Sequence, residues 1–166
     1  MQRPVAAVLA GLFLVLSSHF AIAAEASLKD VNRALASPEP VVLIGVPAGF
    51  LHPESLGDSD EAAEAQDDWS HYLNEWTRKT ADKRKLKVIV VSMKVLSRAL
   101  QRPVLKGDCA TLFVKNRTEG LLFDAYCVPQ VDDYDAGAKW LDGTASEHDI
   151  AEHGFKTTPV GARSRR

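Results

Sequence analysis

The sequence predicts an α/β domain built on one mixed sheet, and three observations carry that expectation. Two short apolar runs without polar alternation, "VVLIGV" at 41 to 46 and "VIVVS" at 88 to 92, suit strands covered by helices on both faces. Between them lies a long segment with a helical apolar stripe, so strand, helix and strand form a βαβ crossover, which implies parallel strands. The stretch "VLKGDCATLFVKNRTEGLLFDAYC", 104 to 127, then reads as a β-hairpin, which adds an antiparallel pair.

The chain opens with Arg3, an apolar run from Val5 to Leu16, and "SSHFAIAA", in which Ala21-Ile22-Ala23 is a small-x-small cleavage signature. This predicts a secretory signal peptide over 1–23. The apolar run is about half the roughly 20 residues a membrane span needs, and no later segment is apolar for long enough, so no span is expected after cleavage. A single domain is expected over 24–145, and a polar, flexible tail over 146–166, which ends in "KTTPVGARSRR". The expected location is periplasmic or secreted.

Within the domain, Ser27 is placed to cap a short helix carrying Leu28, Val31 and Leu35, and Pro38 and Pro40 end it. The first apolar strand is followed by a loop, "PAGFLHPESLGDSDE". From Ser59 to Ala81 the residues Ala62, Ala65, Trp69, Tyr72, Leu73 and Trp76 fall on one helical stripe, which places Trp69 and Trp76 in the core. Asp58 is expected as its N-cap, with Glu61 completing a capping box. Acids crowd the front of this helix (Asp60, Glu61, Glu64, Asp67, Asp68) and bases its rear (Arg78, Lys79, Lys83, Arg84, Lys85), the polarity that suits a helix dipole. A short helix with Met93, Leu96 and Leu100 follows the second strand, and a last one from about Asp133 carries Ala136, Trp140 and Leu141.

The full chain carries 20 basic and 22 acidic residues, a net charge of −2. Loss of Arg3 with the leader leaves 19 against 22, or −3. That balance shows none of the basic excess that nucleic-acid binding asks for. No phosphate loop, nucleophile elbow or dinucleotide fingerprint occurs, and no cofactor is expected.

Two cysteines in an exported chain favour a disulfide. With the hairpin turn centred near Thr118, positions across it sum to about 236, so Cys109 faces Cys127. Opposed Cα atoms in a ladder lie about 4.5 to 5.5 Å apart, within disulfide range. Closing the 18-residue loop contributes about 3 kcal/mol in the chain-entropy model. Three readings stay open: a structural staple, a redox-active pair, or unrelated thiols.

Weaker candidates complete the survey. His148 and His153 lie five apart, about 140° round a helix, so they do not form the i, i+4 pair of a helical zinc site. With Glu147, Asp149 and Glu152 they form at most a loose metal site, and a solvated polar segment is the simpler reading. Asp132, Asp133 and Asp135 suit helix capping or a weak calcium site. His52, after the first strand, and His71, on the long helix, are read as surface or packing residues, with ligand or acid/base roles as the alternative. Asn116-Arg117-Thr118 is a glycosylation sequon in the expected turn.

The order α-β-α-β-α-β-β-α resembles the thioredoxin fold, over roughly 27 to 142. Locally, "VLKGDCATLFVKN" is similar to the segment of that superfamily in which a glycine and a cis-proline lead into an apolar strand closed by Lys-Asn; Gly107, Leu112, Val114, Lys115 and Asn116 fit it. The resemblance implies a Cys-x-x-Cys at the start of the helix after the first strand, where the helix N-terminus stabilises a thiolate. That region, "GVPAGFLHPESLGDSDEAAE", has no cysteine, and Cys109 stands where the cis-proline is expected. The expectation is therefore a non-catalytic exported protein that binds another exported or envelope protein. The alternatives are an atypical thiol-disulfide oxidoreductase using Cys109 and Cys127, and a metal-binding exported protein.

Overall fold

The computed structural model describes residues 26–52, 54, 59–100, 109–116, 119–123, 131–152 and 156–158. The signal sequence expected over 1–23, Asp58, Cys127 and His153 lie outside them.

The first described element is helix α1, Leu28–Leu35, held by a capping box: the Asp30 amide donates to Ser27 Oγ at 3.3 Å, and the Ser27 amide donates to the Asp30 carboxylate at 3.1 Å. Strand β1, Val41–Val46, follows. All six of its residues are buried, because Val41 and Leu43 face one side of the sheet while Val42, Ile44 and Val46 face the other. A strand that feeds two cores has no polar face, which is why its sequence shows no alternation.

Helix α2, Ala48–Leu51, is a single turn after Pro47 and occupies part of the segment read from sequence as loop. Phe50 and Leu51 anchor it in the core. Helix α3, Asp60–Trp76, comes next. Its cap is Ser59, whose Oγ accepts from the Ala62 amide at 3.3 Å, one residue beyond the Asp58 expected from the capping pattern. The helix continues through a π-helical turn, Thr77–Ala81, into α4, Asp82–Arg84. Lys85 ends it in the left-handed region at φ 54°. The extra residue of the π turn rotates everything behind it by about 100°, which no apolar pattern announces.

Strand β2, Lys87–Ser92, runs parallel to β1 in unbroken register from Val41 with Lys87 to Val46 with Ser92. Among the described residues it is an edge strand, and Val88 and Val90 are only half-buried, in contrast to the covered strand that the sequence suggested. Helix α5, Met93–Leu100, leads to strands β3, Ala110–Val114, and β4, Gly120–Phe123. Strand β3 lies antiparallel to both β1 and β4. Helix α6, Val131–Leu141, then packs back on the sheet.

Residues 146–166, read from sequence as a polar tail, contain helix α7, Glu147–Glu152, and a three-residue strand β5, Lys156–Thr158. The sheet order is β2-β1-β3-β4, with β5 pairing on the β4 side. This α/β architecture with one mixed sheet is compatible with a thioredoxin-like fold.

Helices cover both faces. Val31 and Ala34 of α1 and Leu96 of α5 share one core with Leu43, Leu112 and Val114. On the other face Trp69, Leu73 and Trp76 of α3 and Tyr134 and Ala136 of α6 meet Val42, Ile44 and Phe113. Each fully buried aliphatic or phenyl side chain contributes about 1.5 to 3 kcal/mol of transfer free energy. Trp76 joins the second core most closely, stacked on Tyr134 at 4.8 Å and edge-on to Phe113 at 6.3 Å.

Candidate functional site

The parallel strands β1 and β2 end at Val46 and Ser92, and at the same end of the sheet β3 begins. One step beyond the last β1 to β3 pair, Gly45 with Ala110, the chain sets Cys109 beside Val46. Cys109 is 5% exposed and belongs to the core shared with Phe50, Leu51, Trp69 and Phe113. Among the described residues there is no free cysteine.

The hairpin register differs from the expectation. Thr111 pairs with Phe123, Leu112 with Leu122 and Val114 with Gly120, so paired positions sum to 234, not 236. The cause is the turn, which falls one residue earlier in the chain. The Lys115 amide donates to the Glu119 carbonyl at 3.0 Å, and the Asn116 side-chain oxygen accepts from the Glu119 amide at 3.1 Å. This centres the turn at 117 instead of 118. The observed pairs end at Thr111 with Phe123, and Cys127 lies outside the described residues.

The segment after β1 carries no cysteine: Pro47, Ala48, Gly49, Phe50 and Leu51 fill the turn where the thioredoxin resemblance implies the redox pair. The functional groups there are instead backbone and imidazole. The His52 amide closes α2 by donating to the Ala48 carbonyl at 3.1 Å, and its Nδ1 lies 3.4 Å from the Glu54 carboxylate. Both side chains are more than half exposed. A solvated pair of this kind holds no substrate group by itself.

Two further histidines are described. His71 is exposed on α3, edge-on to Tyr72 with ring centroids 6.0 Å apart, and His148 is exposed on α7. No group of three or more His, Cys, Asp or Glu side chains converges among the described residues as around a metal ion. His153 and the side chains of Asp132, Asp133 and Asp149 lie outside that description, while Asp135 is half-buried on α6. Asn116 of the sequon sits in the turn with its amide oxygen engaged by Glu119, and Arg117 and Thr118 lie outside the described residues.

Among the described residues two charged groups have perturbed acidity, and both are structural. The Ser27 side-chain hydrogen bond, with help from the Ser27 amide, holds the Asp30 carboxyl below its usual range. A hydrogen bond and the charge of Lys79, one helical turn away, do the same for Glu75. Sequence reasoning placed Cys109 at the correct sheet end and Trp69 and Trp76 in the core. It missed α2, whose only signal was the apolar pair Phe50-Leu51 between two prolines. No helix among the described residues is long and apolar enough to cross a membrane. Compared with protein-family models, curated proteins and solved structures, the chain matches none.

Proposed function

We propose that the mature chain is an exported, thioredoxin-like domain without thiol catalysis, whose role is to bind another exported or envelope protein. The observation that carries this reading is the turn after β1. It holds Pro47, Gly49 and the core anchors Phe50 and Leu51, and no nucleophile. Cys109, the nearest cysteine, is 5% exposed within an apolar core and not presented at the surface. In this account Cys109 and Cys127 form a staple that ties the far end of the hairpin to the body of the domain. The leader at 1–23 supports export, and the charge balance and absent fingerprints leave no small-molecule or nucleic-acid chemistry to favour over protein binding.

A second reading has one observation in its favour: Cys109 lies at the sheet end where thioredoxin-like enzymes react. It makes Cys109 and Cys127 an atypical redox pair. The two readings part in a trapping experiment. The Cys127→Ser variant, incubated with oxidised and reduced protein thiols from the same compartment, accumulates mixed disulfides through Cys109 if the pair is redox-active. The non-catalytic reading predicts none. A metal-binding role, the third expectation, has no converged ligand set among the described residues to start from.

A further inference from the structure

Among the described residues the outer edge of β2 pairs with no other strand over its six residues. Its ladder to β1 is continuous over all six positions, so no bulge turns the edge away, and among the described residues no strand lies beyond it. Natural sheets blunt such edges with proline, with charges in mid-strand, with bulges, or by keeping the strand short. The run Val88-Ile89-Val90-Val91 uses none of these, and Val88 and Val90 are half-exposed. The opposite edge contrasts with it: β5 is three residues long and opens on Lys156.

The chain that flanks this strand is rich in lysine. Lys83, Lys85 and Lys87 precede the apolar run and Lys94 follows it, all four exposed and none in an ion pair among the described residues. Arg84 is taken up by Asp142 at 2.9 Å, and the single acid between positions 82 and 94 is Asp82. We infer that β2 is the docking edge of this domain and that its occupant is an extended acidic polypeptide segment, which adds to the sheet as a strand. Main-chain hydrogen bonds to β2 supply affinity, small apolar side chains cover Val88 and Val90, and carboxylates at the ends of the segment meet the lysines. The inference rests on the protein-binding reading above and names the partner's chemistry. A second copy of the chain fits less well. Pairing two copies along this edge brings their flanking lysines together, and like charges repel across such a pair.

The test uses the mature protein and a fluorescein-labelled synthetic peptide of alternating valine and threonine with aspartates at both ends, read by anisotropy. Three comparisons accompany it: the same peptide with lysines for aspartates, the same peptide with alternate backbone amides methylated, and the Lys85→Glu/Lys87→Glu protein. These two lysines are exposed, so the double variant keeps its fold, which far-UV circular dichroism checks. The acidic peptide is expected to bind, and the lysine peptide at least about tenfold more weakly. Amide methylation should abolish binding, because it removes the donors a strand needs. The double variant should weaken the acidic peptide and strengthen the lysine peptide. Absence of binding, indifference to methylation, or equal affinity for both peptides overturns the inference. So does a dimer of the protein that closes this edge to the peptide. The redox assay of the cysteines does not involve β2. A stable disulfide with no peptide binding therefore removes the edge proposal alone, and an easily reduced one with peptide binding removes the non-catalytic reading alone.

Discussion

Replacing Gly137 with alanine tests how α6 closes the face of the sheet that holds Cys109. In an exposed helix interior this substitution stabilises by about 1 kcal/mol, since alanine restricts the unfolded backbone. Here the sign should reverse. A Cβ on Gly137 would lie 2.2 Å from Cε2 and Cζ of Phe113 and 2.6 Å from its Cδ2, over 1 Å short of ordinary contact. Phe113 cannot swing aside, because it is 1% exposed and its ring abuts Trp76. Helix α6 must therefore retreat, and a gap of 0.5 to 1 Å forfeits about a quarter to a half of each dispersion contact along it. Overpacking of this kind costs about 1 to 3 kcal/mol beyond any helix-propensity gain. For a domain of this size the expected fall in Tm is about 2 to 4 °C per kcal/mol. Urea unfolding followed by tryptophan fluorescence reads the change, and near-ultraviolet circular dichroism reports the Trp76 to Tyr134 stack directly. A Gly137→Ala protein as stable as the parent, or more so, would refute the packing of α6 on Phe113.

Three smaller effects follow from the same geometry. Gly143 ends α6 at φ +73° in a Schellman arrangement, its amide donating to the Trp140 carbonyl at 3.0 Å and the Thr144 amide to the Lys139 carbonyl at 2.8 Å; Gly143→Ala should cost about 1 kcal/mol by urea midpoint although nothing lies within 4 Å of the new methyl. Arg84 Nε and Nη2 both donate to the Asp142 carboxylate at 2.9 Å, and Arg84→Gln should cost no more than about 1 kcal/mol, a loss that shrinks in high salt. Asp30 is held below its ordinary acidity, so its ionised form is the one that folding favours. Its contribution is fully present above the usual carboxylate range and disappears as pH falls through the lowered folded value. The stability gap between parent and Asp30→Ala should therefore be larger at neutral pH than at about pH 2, and a gap that grows on acidification contradicts the capping box.

Much of the fold was legible because apolar patterning is local. Val41 to Val46 announces a strand that serves two cores, and the stripe from Ala62 to Trp76 announces the long helix, since both follow from the period at which side chains reach the sheet. The register of the hairpin was not legible. It depends on whether the chain turns at 117 or 118, and Asn116, Arg117 and Thr118 suit either; the choice is made by the Asn116 to Glu119 hydrogen bond, which composition does not reveal. That difference moves the sum of paired positions from 236 to 234. The π turn after Trp76 was equally silent, because Thr77 to Ala81 carries no glycine or proline to mark it. The exposed edge of β2 depends on strand order, which a sequence of apolar runs does not fix. Val88 to Val91 therefore looked like a strand covered on both faces.

The account stands or falls on the cysteines. Its central claim is that the two cysteines form a staple, while the turn where the resemblance implies a catalytic pair holds none. The direct test is the redox state and midpoint of Cys109 and Cys127 in the mature protein, by thiol alkylation and mass spectrometry across a graded glutathione series. The account predicts a bond between these two residues that stays closed below about −300 mV, the range of structural disulfides. A midpoint near −120 to −200 mV, where exported oxidoreductases work, or two thiols that alkylate without reduction, would contradict it.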